Sequence, residues 1–299
     1  MAENPHMKVL YLNVTQKTES EKQAFVNMAR DHKLPGTEVH IASLPEVDGR
    51  FRNASYRTYE AIMTRGIVRA ARVAALEGFD AMAIGCFFDV AIHDAREISG
   101  EMIVSGPCEA GCEIAASLAN RFGIIIGHRK WAHQMQESVR SYGHEHRLTG
   151  FYHVGLSVTE FQKDHDETAR RLIAAGRKAV DEDYAEALIL GCTMEIGFYK
   201  KIEQATGVPV IDAAIAAFKR AEYGALLKRQ CGWIPSRKWS CEPPPEDEIS
   251  AFRCFENGEA LGPRLIVKPD GSVDSGPKTL LTGQPRLTPG WPLNSVAAT

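Results

Sequence analysis

Two cysteines that follow glycine at the ends of similar apolar runs are the strongest candidates for chemistry in this sequence. The run Asp80-Ala-Met-Ala-Ile-Gly-Cys86 is answered by Glu186-Ala-Leu-Ile-Leu-Gly-Cys192. Two thiols on opposite sides of a flat substrate can invert a carbon centre, because one thiolate removes a proton from one face while the other thiol donates a proton to the opposite face. Such thiols titrate as a coupled pair. We therefore predict that Cys86 and Cys192 form an acid/base pair.

A structural role is the alternative interpretation of each cysteine. Most free cysteines are small buried hydrophobes, and this alternative stays open for either residue taken singly. Their equivalent positions in two similar strands favour chemistry for the pair. A free thiol has a pKa of about 8.5, which a helix N-terminus lowers. A corner in which a strand, Gly-Cys and a helix follow one another therefore predicts thiolate near neutral pH.

The elements that position these cysteines alternate between strands and helices. Residues 8–13 and 39–42 have the apolar runs of buried strands, and residues 19–31 and 56–77 have helical spacing. This alternation predicts an α/β fold with two pseudo-symmetric, doubly wound lobes and parallel sheets. Ligands bind beyond the carboxyl ends of the strands in such sheets, so both Gly-Cys corners should lie at the substrate crevice.

The domain organisation follows from the positions of the two repeats. Residues 7–117, completed by a helix at 213–229, form the predicted first lobe, and residues 118–212 form the predicted second lobe. Residues 230–299 are rich in Pro and Gly, which predicts an irregular C-terminal extension outside the lobes. Within it, Pro269-Asp-Gly271 predicts the turn of a small hairpin. From Pro285 on, we predict an extended arm or disorder.

Composition narrows the class of protein. The chain has 299 residues, 44% of them hydrophobic, and a net charge of −3 without a basic stripe, so neither nucleic acid nor a membrane surface is an expected partner. No leader pattern or run of roughly 20 apolar residues occurs. Seven cysteines are too sparse and too odd in number for a disulfide framework. We expect a cytoplasmic homo-oligomer that acts on a small molecule.

Metal and cofactor signals are weak. Cys108 and Cys112 lie one helical turn apart, but no nearby Cys or His pair completes a tetrahedral metal site. Neither a Gly-x-Gly-x-x-Gly motif nor a P-loop is present. We therefore expect neither a metal nor a cofactor.

The segments around the two cysteines resemble the signatures of the hydantoin racemases, in the aspartate/glutamate racemase superfamily. The resemblance runs from about residue 7 to residue 228 and rests chiefly on Gly85-Cys86-Phe87-Phe88-Asp89, His93-Asp94-Ala95-Arg96-Glu97, Glu109-Ala110 and Leu190-Gly191-Cys192-Thr193-Met194. It implies a cofactor-independent racemase that inverts the C5 centre of 5-substituted hydantoins. Cys86 and Cys192 would alternate as base and acid.

The residues predicted to bind the substrate surround these cysteines. They are Asn13, Thr15, Gly85, Phe87, Phe88, Glu109, Phe151, Gly191, Thr193 and Met194. Backbone N–H groups after each cysteine, with Asn13, Thr15 and Thr193, are predicted to stabilise enolate charge. Structural alternatives stay open: Asn13 and Thr15 as a turn and a helix cap, Glu109 as a helix cap, and the rings of Phe87 and Phe151 as core.

Three features depart from the family pattern. The first strand ends in Asn13-Val14-Thr15 instead of Asn-Pro-Asn, Phe88 replaces a glycine, and the compact members lack the C-terminal extension. We predict that Phe88 reshapes the pocket. Other functions on the same scaffold therefore stay open, namely a cis-trans isomerase, a decarboxylase or a ring-opening amide hydrolase with a nucleophilic cysteine. A non-catalytic module that binds a small ligand is the alternative from a different class.

Overall fold

Strands and helices alternate through the first half of the chain. The computed structural model describes residues 6–45, 51–253, 255 and 257–282. The first four strands are β1 (Met7–Asn13), β2 (Thr37–Ser43), β3 (Ala81–Ile84) and β4 (Ile103–Ser105). The helices among and after them are α1 (Glu19–His32), α2 (Arg57–Leu76), α3 (Ile92–Ile98) and α4 (Pro107–Leu118). The four strands are parallel, in the order β2-β1-β3-β4.

The second half repeats this arrangement. Its strands are β5 (Phe122–Ile126), β6 (Leu148–His153), β7 (Ala187–Leu190) and β8 (Val210–Ile211), and its helices are α5 (Ala132–Ser141), α6 (His165–Arg177) and α7 (Tyr199–Thr206). The strands are parallel in the order β6-β5-β7-β8, which matches β2-β1-β3-β4 strand for strand. The predicted α/β fold with two pseudo-symmetric parallel sheets is confirmed.

Local sequence explains where the helices that border the site begin. Thr18 caps α1 in a capping box: its hydroxyl accepts from the backbone N–H of Glu21, and the Glu21 carboxylate accepts from the backbone N–H of Thr18. The long helix α8 (Ala213–Cys231) begins at Asp212, whose carboxylate accepts from the backbone N–H groups of Ala214 and Ile215. Helix α8 then returns to the first sheet and packs on β3, β4 and α4.

The core consists of two apolar clusters. One cluster fills the space between α2 and α3 and one face of the first sheet, with Leu10, Ile67 and Met82 fully buried. The other spans the opposite face of that sheet and the second sheet, with Tyr11, Phe122 and Ile189 fully buried. This second cluster is continuous between the sheets, so it fixes their relative position.

The C-terminal extension is more regular than its composition predicts. It contains α9 (Glu246–Ala251), β9 (Asn257–Leu261), β10 (Arg264–Val267), β11 (Val273–Gly276) and β12 (Thr279–Thr282). The predicted hairpin is present as β10 and β11, and β10 pairs antiparallel with β2. The prediction that the extension lies outside the lobes is therefore wrong for β10 and β11. Their pairing covers the edge of β2, which would otherwise have unpaired backbone groups. The first sheet thus has six strands, of which β10 runs opposite to the other five.

The lobe boundaries near residues 117, 212 and 230 stay a prediction. The stretch from Pro285 on, predicted as an arm or disorder, lies outside the described residues.

Two kinds of feature are absent from the part of the chain that the structure describes. No helix there has the length and apolar character that crossing a membrane requires. No three His, Cys, Asp or Glu side chains there are arranged to hold a metal ion. Cys108 and Cys112 both lie on α4 and are fully buried in the core cluster that spans the two sheets.

Candidate active site

The two Gly-Cys corners occupy equivalent positions in the two sheets. Gly85 and Cys86 follow β3, and Gly191 and Cys192 follow β7. The backbone N–H of Gly85 donates to the carbonyl of Leu12 in β1 at 2.8 Å, and that of Gly191 donates to the carbonyl of Ile125 in β5 at 2.7 Å. The internal repeat in the sequence therefore corresponds to a repeat in space.

Close packing against the neighbouring strand requires glycine at both corners. A Cβ atom on Gly85 would lie 2.9 Å from Cε1 of Tyr11, and one on Gly191 would lie 2.7 Å from the carbonyl oxygen of Ile125. Neither glycine has a positive φ. Packing therefore explains the two glycines, because any side chain would push the cysteine corner away from its neighbouring strand.

Both cysteines line one cavity beyond the carboxyl ends of the strands. The cavity has a volume of about 40 Å³ and opens to solvent. Of the predicted site residues, it is lined by Thr15, Gly85, Cys86, Phe87, Phe88, Gly191, Cys192, Thr193 and Met194. The thiols of the two halves of the chain therefore face the same cavity, at the carboxyl ends of their strands, where ligands bind in such sheets.

One wall of the cavity is apolar and draws on both halves of the chain. Phe88 packs edge-to-face on Trp131, with ring centroids 6.5 Å apart. Met135 of α5 and Val158 of the loop after β6 extend this wall. The ring of Phe88 is partly buried and lines the cavity. That it reshapes the pocket relative to the family pattern stays a prediction.

The lining also includes polar side chains. Thr15, Asn53, Ser55 and Thr193 contribute hydroxyl and amide groups. Lys17 adds an ammonium group, whose Nζ donates to Oγ1 of Thr15 at 2.6 Å. These groups can hydrogen-bond the carbonyl and N–H groups of a planar amide ring.

Burial holds both thiols in their neutral form. It raises the pKa of the Cys192 thiol to about 12 and raises that of Cys86 well above its ordinary value. The backbone N–H of Phe88 acts in the opposite direction on Cys86, as do those of Met194 and Glu195 on Cys192, but they are outweighed. The prediction of thiolate near neutral pH is therefore wrong for these two buried thiols. The reason is desolvation, which opposes the charged form.

A buried carboxyl group lies three residues after each cysteine. Asp89 follows Cys86 and Glu195 follows Cys192, and negative charge on either carboxyl would further raise the pKa of its cysteine. Burial raises the pKa of Asp89 to about 7 and that of Glu195 well above its usual range. Burial therefore favours the uncharged form of Glu195 and shifts Asp89 towards its uncharged form, which reduces the negative charge near the thiols.

Three predicted site residues are not among the residues that line the cavity. Asn13 ends β1, and its buried side-chain amide has no hydrogen-bond partner among the described residues. Glu109 lies in the first turn of α4 and pairs with Arg96. Phe151 lies in β6 and packs against the core. The core alternative accounts for the contacts of Phe151, whereas Glu109 makes an ion pair with Arg96 and no capping hydrogen bond.

Several residues that line the cavity are not among those predicted from the sequence. They are Val14, Lys17, Asn53, Ala54, Ser55, Trp131, Met135 and Val158. Lys17 carried a usable signal, since it stands four residues after the carboxyl end of β1, in the loop that must face the crevice. The others come from loops and from α5, and no motif marked them.

Known proteins match this chain over most of its length. A family model described as Asp/Glu/Hydantoin racemase matches residues 11–221. A hydantoin racemase of Pseudomonas sp. (strain NS671) is 33% identical over 204 residues, which cover 68% of this chain and 80% of that protein. A hydantoin racemase of Rhizobium meliloti is 33% identical over 168 residues, 56% of this chain and 68% of that protein.

A solved structure matches the fold as well. The allantoin racemase from Klebsiella pneumoniae superposes with a TM-score of 0.72 at 23% identity, covering 80% of this chain and 94% of that one. The family match includes both Gly-Cys corners and the strands that carry them. The chain therefore belongs to the Asp/Glu/hydantoin racemase family and is an isomerase of the racemase type.

Proposed function

We propose that this chain inverts an acidic carbon centre of a hydantoin-like substrate without a cofactor, using Cys86 and Cys192 as a two-base pair. The observation that carries the proposal is that the two thiols line one cavity at equivalent corners of the two sheets. Charge on Cys192 would raise the pKa of Cys86, so the two thiols lie within electrostatic reach of each other. A substrate bound between them would present one face to each thiol.

The reaction follows from this geometry. A thiolate at Cys86 takes the proton from C5 on one face, which leaves an enolate whose charge lies on the adjacent carbonyl oxygen. The Cys192 thiol then donates its proton to C5 on the other face and becomes a thiolate. Atoms and charge balance, since one proton is removed and one is added. The opposite enantiomer reacts with the two roles exchanged.

The cavity walls suit a ring with one polar edge and one apolar substituent. Thr15, Ser55 and Thr193 supply polar groups for the carbonyl and N–H groups of the ring. Phe88 and Trp131 supply an apolar surface for a 5-substituent. The named relatives are hydantoin racemases, and the solved neighbour is an allantoin racemase. The apolar wall favours hydantoins with an alkyl or arylalkyl group over the polar ureido group of allantoin.

The equivalent surroundings of the two thiols also bear on the alternatives. A decarboxylase, a cis-trans isomerase or an amide hydrolase on this scaffold assigns the two cysteine positions different tasks. Here each thiol follows a glycine, receives backbone N–H groups from the residues just after it and has a buried carboxyl three residues on. This equivalence supports exchangeable acid and base roles.

The proposal is tested by following the circular dichroism of enantiopure hydantoins with purified protein and a metal chelator. We expect both enantiomers of 5-benzylhydantoin to reach the racemic mixture faster than in buffer, and allantoin to react more slowly. An unchanged signal for every hydantoin and for allantoin would contradict the proposal. Sedimentation velocity tests the expected homo-oligomer, and cell fractionation tests the expected cytoplasmic location.

A further inference from the structure

We propose that Lys17 is the counter-charge of this site, stabilising the negative charge that moves from one thiolate through the substrate enolate to the other thiolate. The inference rests on the proposed function and adds a residue to it. Neither the repeat of the Gly-Cys corners nor their match to the family depends on this lysine.

The position of Lys17 carries the inference. It lies in the loop between β1 and α1, its side chain is almost completely buried, and it lines the cavity together with both cysteines. Among the described residues that line the cavity, Lys17 is the one charged side chain. The hydroxyl of Thr15 accepts from its Nζ at 2.6 Å and so holds the ammonium group at the cavity wall.

The chemistry needs a positive charge at this place. Each turnover carries one negative charge, first on sulfur, then on the enolate oxygen, then on the other sulfur. Transferring such a charge into a buried cavity is costly unless an opposite charge is near. An ammonium group at the shared wall offsets the charge in all three states, so it serves inversion in both directions. A backbone N–H beside one thiol serves only that thiol.

The electrostatics agree with this role. The charge of Lys17 lowers the pKa of Cys192, and charge on either Cys86 or Cys192 would in turn raise the pKa of Lys17. Burial lowers the pKa of Lys17, as does Arg52, while Glu21 acts in the opposite direction. A thiolate in the cavity therefore favours the charged ammonium, and the charged ammonium favours the thiolate.

A structural salt bridge is the rival explanation of Lys17, and Glu21 is the candidate partner. The Glu21 carboxylate already accepts from the backbone N–H of Thr18 at 2.7 Å and lies 3.4 Å from Arg52. No carboxylate among the described residues lies within 4.0 Å of the Lys17 ammonium group. The direct contact of the ammonium group is with Thr15, on the side of the cavity.

The test measures the two thiols one by one and needs no substrate. Alkylation of Cys86 and Cys192 by iodoacetamide is followed by mass spectrometry from pH 7 to 10 in the wild type and in Lys17→Met. We expect Lys17→Met to slow both alkylations about tenfold at a given pH, equivalent to one pKa unit. Lys17→Arg, which keeps the charge, should retain most of the rate.

Matched variants separate charge from structure. Lys22→Met removes a lysine of α1 that pairs with the exposed Glu19, and it should leave both alkylation rates unchanged. The other groups that act on the thiols, Glu60, Asp89 and Glu195, are the same in every variant, so the difference reports on Lys17. If Lys17→Met does not fold, the alkylation rates are measured in Lys17→Gln, which also removes the charge, and in Thr15→Val, which removes the hydroxyl that holds the ammonium group. Both variants should slow the alkylation of both thiols.

The outcomes for Lys17 and for the proposed function are distinguishable. Equal alkylation profiles for wild type and a folded Lys17→Met protein would overturn the counter-charge, even if the wild type racemises hydantoins. A slowed alkylation supports the counter-charge, even if no tested hydantoin is a substrate. With an active wild type, Lys17→Met should lower kcat about tenfold for both enantiomers and change KM less, because the charge develops after binding.

Discussion

The hydroxyl of Thr193 donates a hydrogen bond to the carbonyl oxygen of Gly85 at 3.1 Å. This bond joins the two cysteine corners directly, since Thr193 follows Cys192 and Gly85 precedes Cys86. Both partners are buried. One side-chain contact thus ties the second sheet to the first at the point where the two thiols meet the cavity.

Removal of this bond should affect activity and stability together. Thr193→Val keeps the shape of the side chain but leaves the Gly85 carbonyl without its donor, which typically costs about 1–2 kcal/mol in a buried position. We expect kcat/KM for hydantoins to fall about tenfold as the corners separate. Urea unfolding and racemisation rates measure both effects, with Thr193→Ser as the control that keeps the donor. Wild-type values for Thr193→Val would show that the bond does not hold the corners.

Phe88 should set which 5-substituents fit. Phe88→Gly removes the ring that meets Trp131, so we expect kcat/KM to rise for hydantoins with large 5-substituents relative to small ones. The ring is only partly buried, so the cost in stability should be about 2 kcal/mol, below that of a core phenylalanine. Kinetics on a series of 5-alkyl and 5-arylalkyl hydantoins test this, with Phe88→Leu as a control for ring loss without a large void. A folded Phe88→Gly enzyme with the wild-type substrate profile would contradict it.

Asp89 should make the protein less stable as the pH rises from about 4 to about 7. Burial raises its pKa to about 7, against hydrogen bonds from the backbone of Cys108 and Glu109 and from the hydroxyl of Tyr142. An unfolded aspartate has a pKa of about 3.9, so between pH 4 and 7 the folded state binds more protons than the unfolded state. Stability from this group is therefore present at pH 4 and is lost towards pH 7, by at most about 4 kcal/mol.

The test for Asp89 compares the free energies of unfolding of the wild type and of Asp89→Asn. Asp89→Asn cannot titrate at this position, while Asp212, whose pKa is about 6, titrates in both proteins. We expect the stability advantage of the wild type over Asp89→Asn in urea unfolding to shrink from pH 4.5 to pH 7.5. A pH-independent difference would mean that the carboxyl stays charged throughout.

Arg264 should anchor the C-terminal extension to the C-terminal end of α2, where Glu77 is the cap residue. Its guanidinium binds both carboxylate oxygens of Glu77, at 2.6 and 2.9 Å, and Glu77 also accepts from the hydroxyl of Thr279. Arg264→Met leaves the partly buried Glu77 without its cation, and we expect a loss of about 2 kcal/mol in the free energy of unfolding. Lys278→Met, which removes an exposed ion pair with Glu259, should cost less than about 0.5 kcal/mol. Equal effects of the two substitutions would contradict an anchoring role.

The sequence predicted the elements that follow from periodicity and repetition. Both Gly-Cys strands, the long helices at 19–32 and 57–76, and the parallel pairing appear as expected, because an apolar run and a helical spacing each depend on local residues. The 265–273 hairpin was predicted from its Asp-Gly turn. Its pairing with β2 was not, because nothing local in either strand specifies a partner more than 200 residues away.

The site was predicted less completely than the fold. Cys86 and Cys192 were found because they are repeated, whereas Trp131 and Met135 reach the cavity only through the packing of the two sheets. The protonation state of the thiols could also not be predicted from the local sequence. A helix N-terminus near a cysteine suggests a lowered pKa, but burial raises it, and burial is a property of the assembled cavity.

The fate of the C5 hydrogen in heavy water tests the two-cysteine account most directly. Each enantiomer of 5-benzylhydantoin is incubated in D₂O with wild type, Cys86→Ser or Cys192→Ser, with the exposed Cys231→Ser as the control. The account predicts that wild type and Cys231→Ser invert both enantiomers with deuterium gain, and that each site variant inverts several orders of magnitude more slowly, because a serine hydroxyl is a far weaker acid. Each site variant should still exchange the hydrogen of one enantiomer, a different one for each variant. Inversion by either site variant at a rate near that of the wild type would contradict the account.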